Sequence, residues 1–211
     1  MALVLTLISG IAWTVVYIEA IRLGFRDRTY AIPVAALGLN FAWESIYAIH
    51  EISLGITAQS VINVAWALAD AVIVYTFFRF GRDELPKFVT PAMFVSWGIL
   101  IFVASYAVQL LFILQFGYEW AQGYSAFLQN ALMSGLFIAM FAARGGMRGQ
   151  SLTIAVAKWL GTLAPTIQYG VIDGTPLILG LGIICCVFDV IYIWLLMRAK
   201  AEPSWVAKAA A

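Results

Sequence analysis

The chain has 211 residues, of which 64% are hydrophobic and 11% charged, against about 45–50% and about 25% in soluble domains. That balance belongs to an integral membrane protein and excludes an ordinary soluble domain. Twelve basic and eleven acidic residues leave a net charge of +1, which excludes a basic nucleic-acid-binding surface and an acidic disordered chain as descriptions of the whole.

A membrane-spanning helix needs about 20 mostly apolar residues. Seven such runs follow one another, at about 2–22, 31–50, 57–80, 90–116, 122–144, 152–169 and 175–198. The first has no basic stretch before it and reads as a retained helix, not a cleaved leader. The runs are too long for barrel strands, and an open sheet exposed to lipid would leave backbone groups unpaired. The expected fold is therefore all-α, a polytopic seven-transmembrane helix bundle. It forms a single domain over 1–200, with a short cytoplasmic tail over 201–211.

The connections alternate in charge. Arg22, Arg26 and Arg28 follow the first run, Arg79, Arg82 and Lys87 the third, Arg144 and Arg148 the fifth, and Arg198, Lys200 and Lys208 the seventh. The opposite connections hold His50, Glu51, Glu119 and Asp173 without a lysine or arginine. The positive-inside rule then places the N-terminus outside and the C-terminus in the cytoplasm. Cys185 and Cys186 are adjacent in an apolar run and cannot staple a secreted fold.

Three acids lie deep in the runs: Glu44, Asp70 and Asp189. A carboxyl at a helix centre costs about 2.5–3.5 kcal/mol on insertion scales, which makes these the functional candidates. Asp70 lies nine residues before Arg79 and Asp189 nine before Arg198, about 13 Å from the same side, with Glu44 about 20 Å from it. One cavity can hold all three. Helical spacing adds Asn40 and Tyr47 to the face of Glu44, Asn63 and Trp66 to that of Asp70, and Tyr192 to that of Asp189. Trp43 precedes Glu44. Gln122, Ser125 and Gln129 on the fifth run, and Lys158, Thr162, Pro165 and Tyr169 on the sixth, are expected to face inward.

Other chemistries lack their residues. With one histidine, His50 at a run end, and no Cys/His grouping, no metal site is expected. No phosphate-binding loop, Ser/His/Asp set or aspartate-rich diphosphate motif is present. The seventh run has no lysine before its basic end for a retinal Schiff base, and Lys158 reads as a snorkelling anchor.

The stretch Leu39-Asn40-Phe41-Ala42-Trp43-Glu44, together with Phe188-Asp189-Val190-Ile191-Tyr192 in the final run, resembles the integral-membrane terpene cyclases of fungal meroterpenoid and indole-diterpene pathways and their actinobacterial relatives. The resemblance covers nearly the whole chain in length and topology, but its specific part is the Asn-x-x-Trp-Glu pattern and the final aspartate. It implies catalytic roles for Glu44 and Asp189 and gives none to Asp70. It also implies a cofactor-free, metal-free cyclisation of an oligoprenyl chain carried on an indole or other aromatic core, begun by protonating a terminal alkene or epoxide.

Elementary chemistry agrees. Burial favours the neutral, proton-bearing form of a carboxyl, so Glu44 or Asp189 is an available acid, and two carboxyls in one site divide the proton between them. A dry aromatic lining stabilises a migrating carbocation and keeps water away. Asn40, Trp43, Tyr47, Asn63, Trp66, Asp70 and Tyr192 are the expected substrate-binding residues. The expected partners are a lipophilic prenylated substrate and membrane lipid, with no nucleic acid, and the expected location is a bacterial plasma membrane. The alternative is a proton-coupled small-molecule transporter, which also needs intramembrane carboxyls. Against it stand the missing internal repeat and the scarcity of helix breaks.

Overall fold

A computed structural model describes residues 1–56 and 58–202. Among these residues there are α1 (Ala2–Arg26), α2 (Val34–Leu54), α3 (Ala58–Phe80), a 3-10 turn (Gly81–Glu84), α4 (Pro91–Arg144), α5 (Leu152–Pro165), a π turn (Thr166–Ile172) and α6 (Pro176–Ala201), with no strand. The tail expected over 201–211 lies outside the described residues from 203 on.

Side chains and prolines mark where these helices begin and bend. Thr90 and Ser151 cap α4 and α5, each hydroxyl accepting a backbone N–H three residues on, and Pro91 and Pro176 occupy first-turn positions where no N–H is required. Pro165 deprives the Gly161 carbonyl of its usual helical donor. The Ser9 hydroxyl of α1 donates to that carbonyl at 2.7 Å, and beyond the proline the chain continues as the π turn.

The 54-residue α4 is not one rod. Gly117 breaks it with φ 73° and ψ 164°, a region essentially confined to glycine. Gln109 donates to Gln129 at 2.8 Å across this break, a contact that about 30 Å of straight helix would forbid. The arms 91–116 and 118–144 therefore fold back on each other as a hairpin.

The helices pack in a closed ring: α1 against α3, α3 against α2, α2 against α4, α4 against α6, α6 against α5, and α5 against α1. The 118–144 arm touches several neighbours, through Gln129 to α2, Ser134 to α5 and Phe137 to α6. Gly38 lets α2 and the 91–116 arm approach so closely that an added Cβ would lie 2.7 Å from Ser105 Oγ, the small-residue device of membrane helix pairs.

The basic connections gather at one end. Arg144, nearly buried, donates to Glu84, to the Thr29 hydroxyl and to the Tyr30 and Arg148 carbonyls, and lies over the Tyr30 ring. Arg148 reaches Glu84 and the Asp27 and Arg28 carbonyls. Arg26, together with the Gly149 N–H, holds the Asp27 carboxyl below the usual carboxylate range. At the opposite end His50 stacks on Tyr118 at 3.8 Å, and Glu51 accepts from Asn63 and Gln122.

Among the described residues four helical stretches are long and apolar enough to cross a membrane: Ala2–Arg26, Ser60–Glu84, Pro91–Arg144 and Pro176–Ala201. Their outward faces carry large exposed apolar side chains such as Leu3, Ile11, Leu100, Leu114, Ile183 and Val190, as suits contact with lipid. Replacing Gly117 with alanine is expected to lower stability by about 1–3 kcal/mol, because the break needs a conformation open only to glycine. Gly135→Ala, mid-arm with nothing near its missing Cβ, should be neutral or stabilising by up to about 1 kcal/mol; thermal unfolding of both variants in detergent checks the pair.

Candidate active site

The three deep acids fall in two hydrogen-bonded clusters, one holding Glu44 and Asp70 and the other Asp189. Asn40, Glu44 and Tyr47 lie on the inner face of α2, as the spacing predicts, and Asp70 faces them from α3. The Asn40 amide nitrogen donates to Asp70 Oδ2 at 2.8 Å and to the Tyr17 hydroxyl at 2.7 Å. Tyr17 in turn donates to Glu44 Oε1 at 3.2 Å. From the other side Gln129 donates to Asn40 Oδ1 at 3.2 Å, and Gln109 donates both to Gln129 and to the Leu39 carbonyl.

Within this cluster Glu44 Oε2 and Asp70 Oδ1 are buried and make no hydrogen bond. Both residues are almost wholly enclosed, Glu44 at 4% exposure and Asp70 at 0%. Among the described residues no lysine or arginine pairs with either. Without a countercharge, ionising both carboxyls in this interior is costly, and the arrangement favours a pair that keeps at least one proton. Trp66 lies 6.0 Å and Trp13 6.4 Å from the Tyr17 ring, so an aromatic wall flanks the acids. Trp43 packs on Tyr47 at 4.9 Å, its indole N–H donating to the Gln122 carbonyl.

Asp189 belongs to the second cluster. Lys158 of α5 sits 2.9 and 3.0 Å from the two Asp189 oxygens and donates to Ser134 at 2.6 Å. The lysine is wholly buried, so it is no snorkelling anchor: its ammonium finds a carboxylate on α6 instead of the membrane surface. The physical reason for the two clusters is packing, since α6 lies against α4 and α5 and has no substantial contact with α2 or α3. Tyr192 stays on the α6 side, stacked on Phe137 at 5.2 Å with its hydroxyl donating to Gln150. Asn63 lies two turns from Asp70 and bonds to Glu51. The 118–144 arm separates the clusters, with Gln129 and Ser134 about 7.5 Å apart in height and about 140° apart around it.

An apolar cleft of about 320 Å³ lies between α2 and the two arms of α4, lined by Leu39, Val108, Phe112, Leu128 and Leu132 with Gln109, Ser125 and Gln129. A smaller one, about 120 Å³, continues from it toward Leu177 and Leu181 of α6. Among the described residues no three His, Cys, Asp or Glu side chains come together as a ligand set for a metal ion.

The sequence pattern missed two members of the first cluster. Tyr17 sits in an apolar run whose one acid, Glu19, pairs with Arg22, and nothing in its spacing points to Glu44. Gln109, a wholly buried amide in the middle of the fourth run, carries the signal that exposed the acids, a polar group too costly to leave in lipid.

The model of the Pyr4-like transmembrane terpene cyclases matches residues 1–202. The chain belongs to that family. It is 25% identical to the terpene cyclase pyr4 of Aspergillus fumigatus over 93% of this chain and 86% of that protein. It is 31% identical to the Pyr4-family terpene cyclase mfmH of Annulohypoxylon moriforme over 75% of this chain and 66% of that protein. It is also 31% identical to the terpene cyclase cle7 of Aspergillus versicolor over 76% and 68% of the two chains. It thus spans most of the first and about two thirds of the other two. No solved structure matches it. These relatives are fungal, and they lend no support to a bacterial plasma membrane. Family membership and the apolar helices together make this a multi-pass membrane protein of terpene cyclase type.

The Lys158–Asp189 pair yields a stability test. Asp189→Asn leaves the ammonium buried without its countercharge and should cost about 3–5 kcal/mol, whereas Asp189→Leu combined with Lys158→Met removes both charges and should recover most of that loss. Melting temperatures of the single and double variants in detergent check it.

Proposed function

We propose that this member of the Pyr4-like family is a metal-free cyclase that protonates the terminal alkene or epoxide of an oligoprenyl chain attached to an indole or other aromatic core. The observation that carries the reading is the free Glu44 Oε2. One oxygen of this carboxyl is held by Tyr17 while the other is enclosed, unpaired and clear of any cation. A proton resting on Oε2 has no acceptor among the described residues, and the proposal assigns it to the substrate. Glu44 is thus the initiating acid, a role worth about 10²–10⁴ in rate.

Asp189, the other residue that the resemblance singles out, enters the proposal as a fixed negative charge paired with Lys158, in place of a second proton donor. Trp66 and Tyr17, with Trp43 and Tyr47 alongside, are proposed to face the cation as it migrates, where aromatic faces attract positive charge. Asn40 orients the acids. Tyr192 and Asn63 belong to the proposal as residues shaping the walls at the α6 side and the far end.

The substrate is proposed to arrive from the membrane, which suits an apolar cleft whose rim residues Val108, Leu128 and Leu132 are exposed. The proposal takes the chain as a single seven-span domain, counting α2, both arms of α4, and α5 with its π turn as crossings. The shared end of the 27–30, 81–84 and 144–150 connections, rich in arginine, supports a cytoplasmic C-terminus and an outside N-terminus.

The test is an assay of membranes containing the protein, with chelator present and a farnesylated indole or phenol added, with and without a terminal epoxide. A product of unchanged mass with fewer alkenes is expected, and Glu44→Gln should lower its rate about 10²–10⁴-fold while melting like the wild type. Proton-coupled solute movement in liposomes, with no isomerisation of any of these probes, would replace the cyclase reading with the transporter one.

A further inference from the structure

We propose that Asp70 is the second carboxyl of the proton-transfer site and takes up the proton that leaves the substrate when cyclisation ends. The inference rests on the cyclase reading above and extends it to a residue for which the family resemblance supplies no role.

Four observations on Asp70 converge. It is fully buried, where an aspartate is almost never found unless paired. Its Oδ2 is held by Asn40, the same amide nitrogen that donates to Tyr17 and so, through that hydroxyl, links it to Glu44. Its Oδ1 has no partner. Trp66, one turn before it on α3, lies against the Tyr17 ring, so the aromatic wall continues from one acid to the other. Each carboxyl is thus anchored through one oxygen and free at the other, the arrangement that exchange with a substrate requires. Asp189 offers the contrast, with both oxygens engaged by Lys158.

The step balances without a co-reactant. Glu44 gives the proton on Oε2 to the terminal alkene carbon or epoxide oxygen, and the positive charge passes along the chain as each ring bond forms from an alkene pair. A C–H bond beside the last cation then breaks, its electron pair forming the new alkene and its proton passing to the Asp70 carboxylate at Oδ1. The substrate is isomerised, one proton has moved from Glu44 to Asp70, and exchange with solvent restores the pair.

Asp70→Asn separates this role from a structural one, because the asparagine oxygen still accepts from Asn40 but cannot take a proton. Asp70→Leu loses both functions, and Asp70→Glu keeps a carboxyl. With the prenylated phenol or indole that the wild-type protein isomerises, Asp70→Asn and Asp70→Leu are each expected to lower kcat about 10²–10⁴-fold. KM and the Asp70→Asn melting temperature should stay unchanged, and Asp70→Glu should turn over faster than Asp70→Asn. Turnover by Asp70→Asn equal to wild type, with Asp70→Leu alone impaired, overturns the proposal and leaves Asp70 a helix-pairing residue. Infrared difference spectra of the wild-type protein during turnover give a second reading that needs no Asp70→Asn protein. A gained protonated-carboxyl band that shifts in Asp70→Glu supports the proposal, and a gained band unmoved by that variant overturns it. Failure of the wild-type protein to isomerise any probe would fall on the cyclase reading itself and is distinguishable from both.

Discussion

The carbonyl of Leu39 can only accept a hydrogen bond, and this constraint sets the direction of the polar contacts that follow from it. Gln109 must turn its amide nitrogen toward that carbonyl, which presents the same nitrogen to the Gln129 oxygen. Gln129 is then left with its nitrogen for Asn40, and Asn40 with its own for Tyr17 and Asp70. Reversing any one amide would set acceptor against acceptor in a low-dielectric interior, where an unmade hydrogen bond is expensive. Donors therefore all point toward the two carboxyls, and the acids receive without giving. Their spare oxygens are what this chain of amides leaves over.

The two clusters are different answers to the same desolvation cost. Asp189 is matched by an ammonium, and the pair holds three helical elements together through Lys158 and Ser134. Glu44 and Asp70 are given hydrogen bonds but, among the described residues, no cation. Breaking the first arrangement penalises the fold, whereas altering the second need not. The 118–144 arm serves both from different faces, through Gln129 to the first cluster and Ser134 to the second.

Much of this was legible in the sequence because the membrane makes polar exceptions conspicuous. Glu44, Asp70 and Asp189 announced themselves by insertion cost, Asn40 by its spacing from Glu44, and the helical runs by length. The seven expected runs follow the described helices closely, with Gly117 breaking α4 between the fourth and fifth. What spacing could not display was partnership between distant helices. Lys158 near the start of a run looks like an anchor until α6 is seen to bring Asp189 against it. Asp189 looks level with Asp70 by residue counting, yet the ring order of the helices puts the two on different sides of the second arm. Tyr17 is one of nine tyrosines, and only tertiary packing tells it from the rest.

The Ser9 hydroxyl bonded to the Gly161 carbonyl joins residues 152 positions apart. Until α1 and α5 meet, that carbonyl, stripped of its helical donor by Pro165, faces either lipid or water. A nascent chain delivers α1 to the membrane long before α5 exists, so the first helix waits with its partner face uncovered while five more stretches of chain are made. The break itself is local, set by Pro165, and what the assembled ring adds is a donor for the freed carbonyl. Closure of that ring supplies the hydrogen bond that the proline takes away.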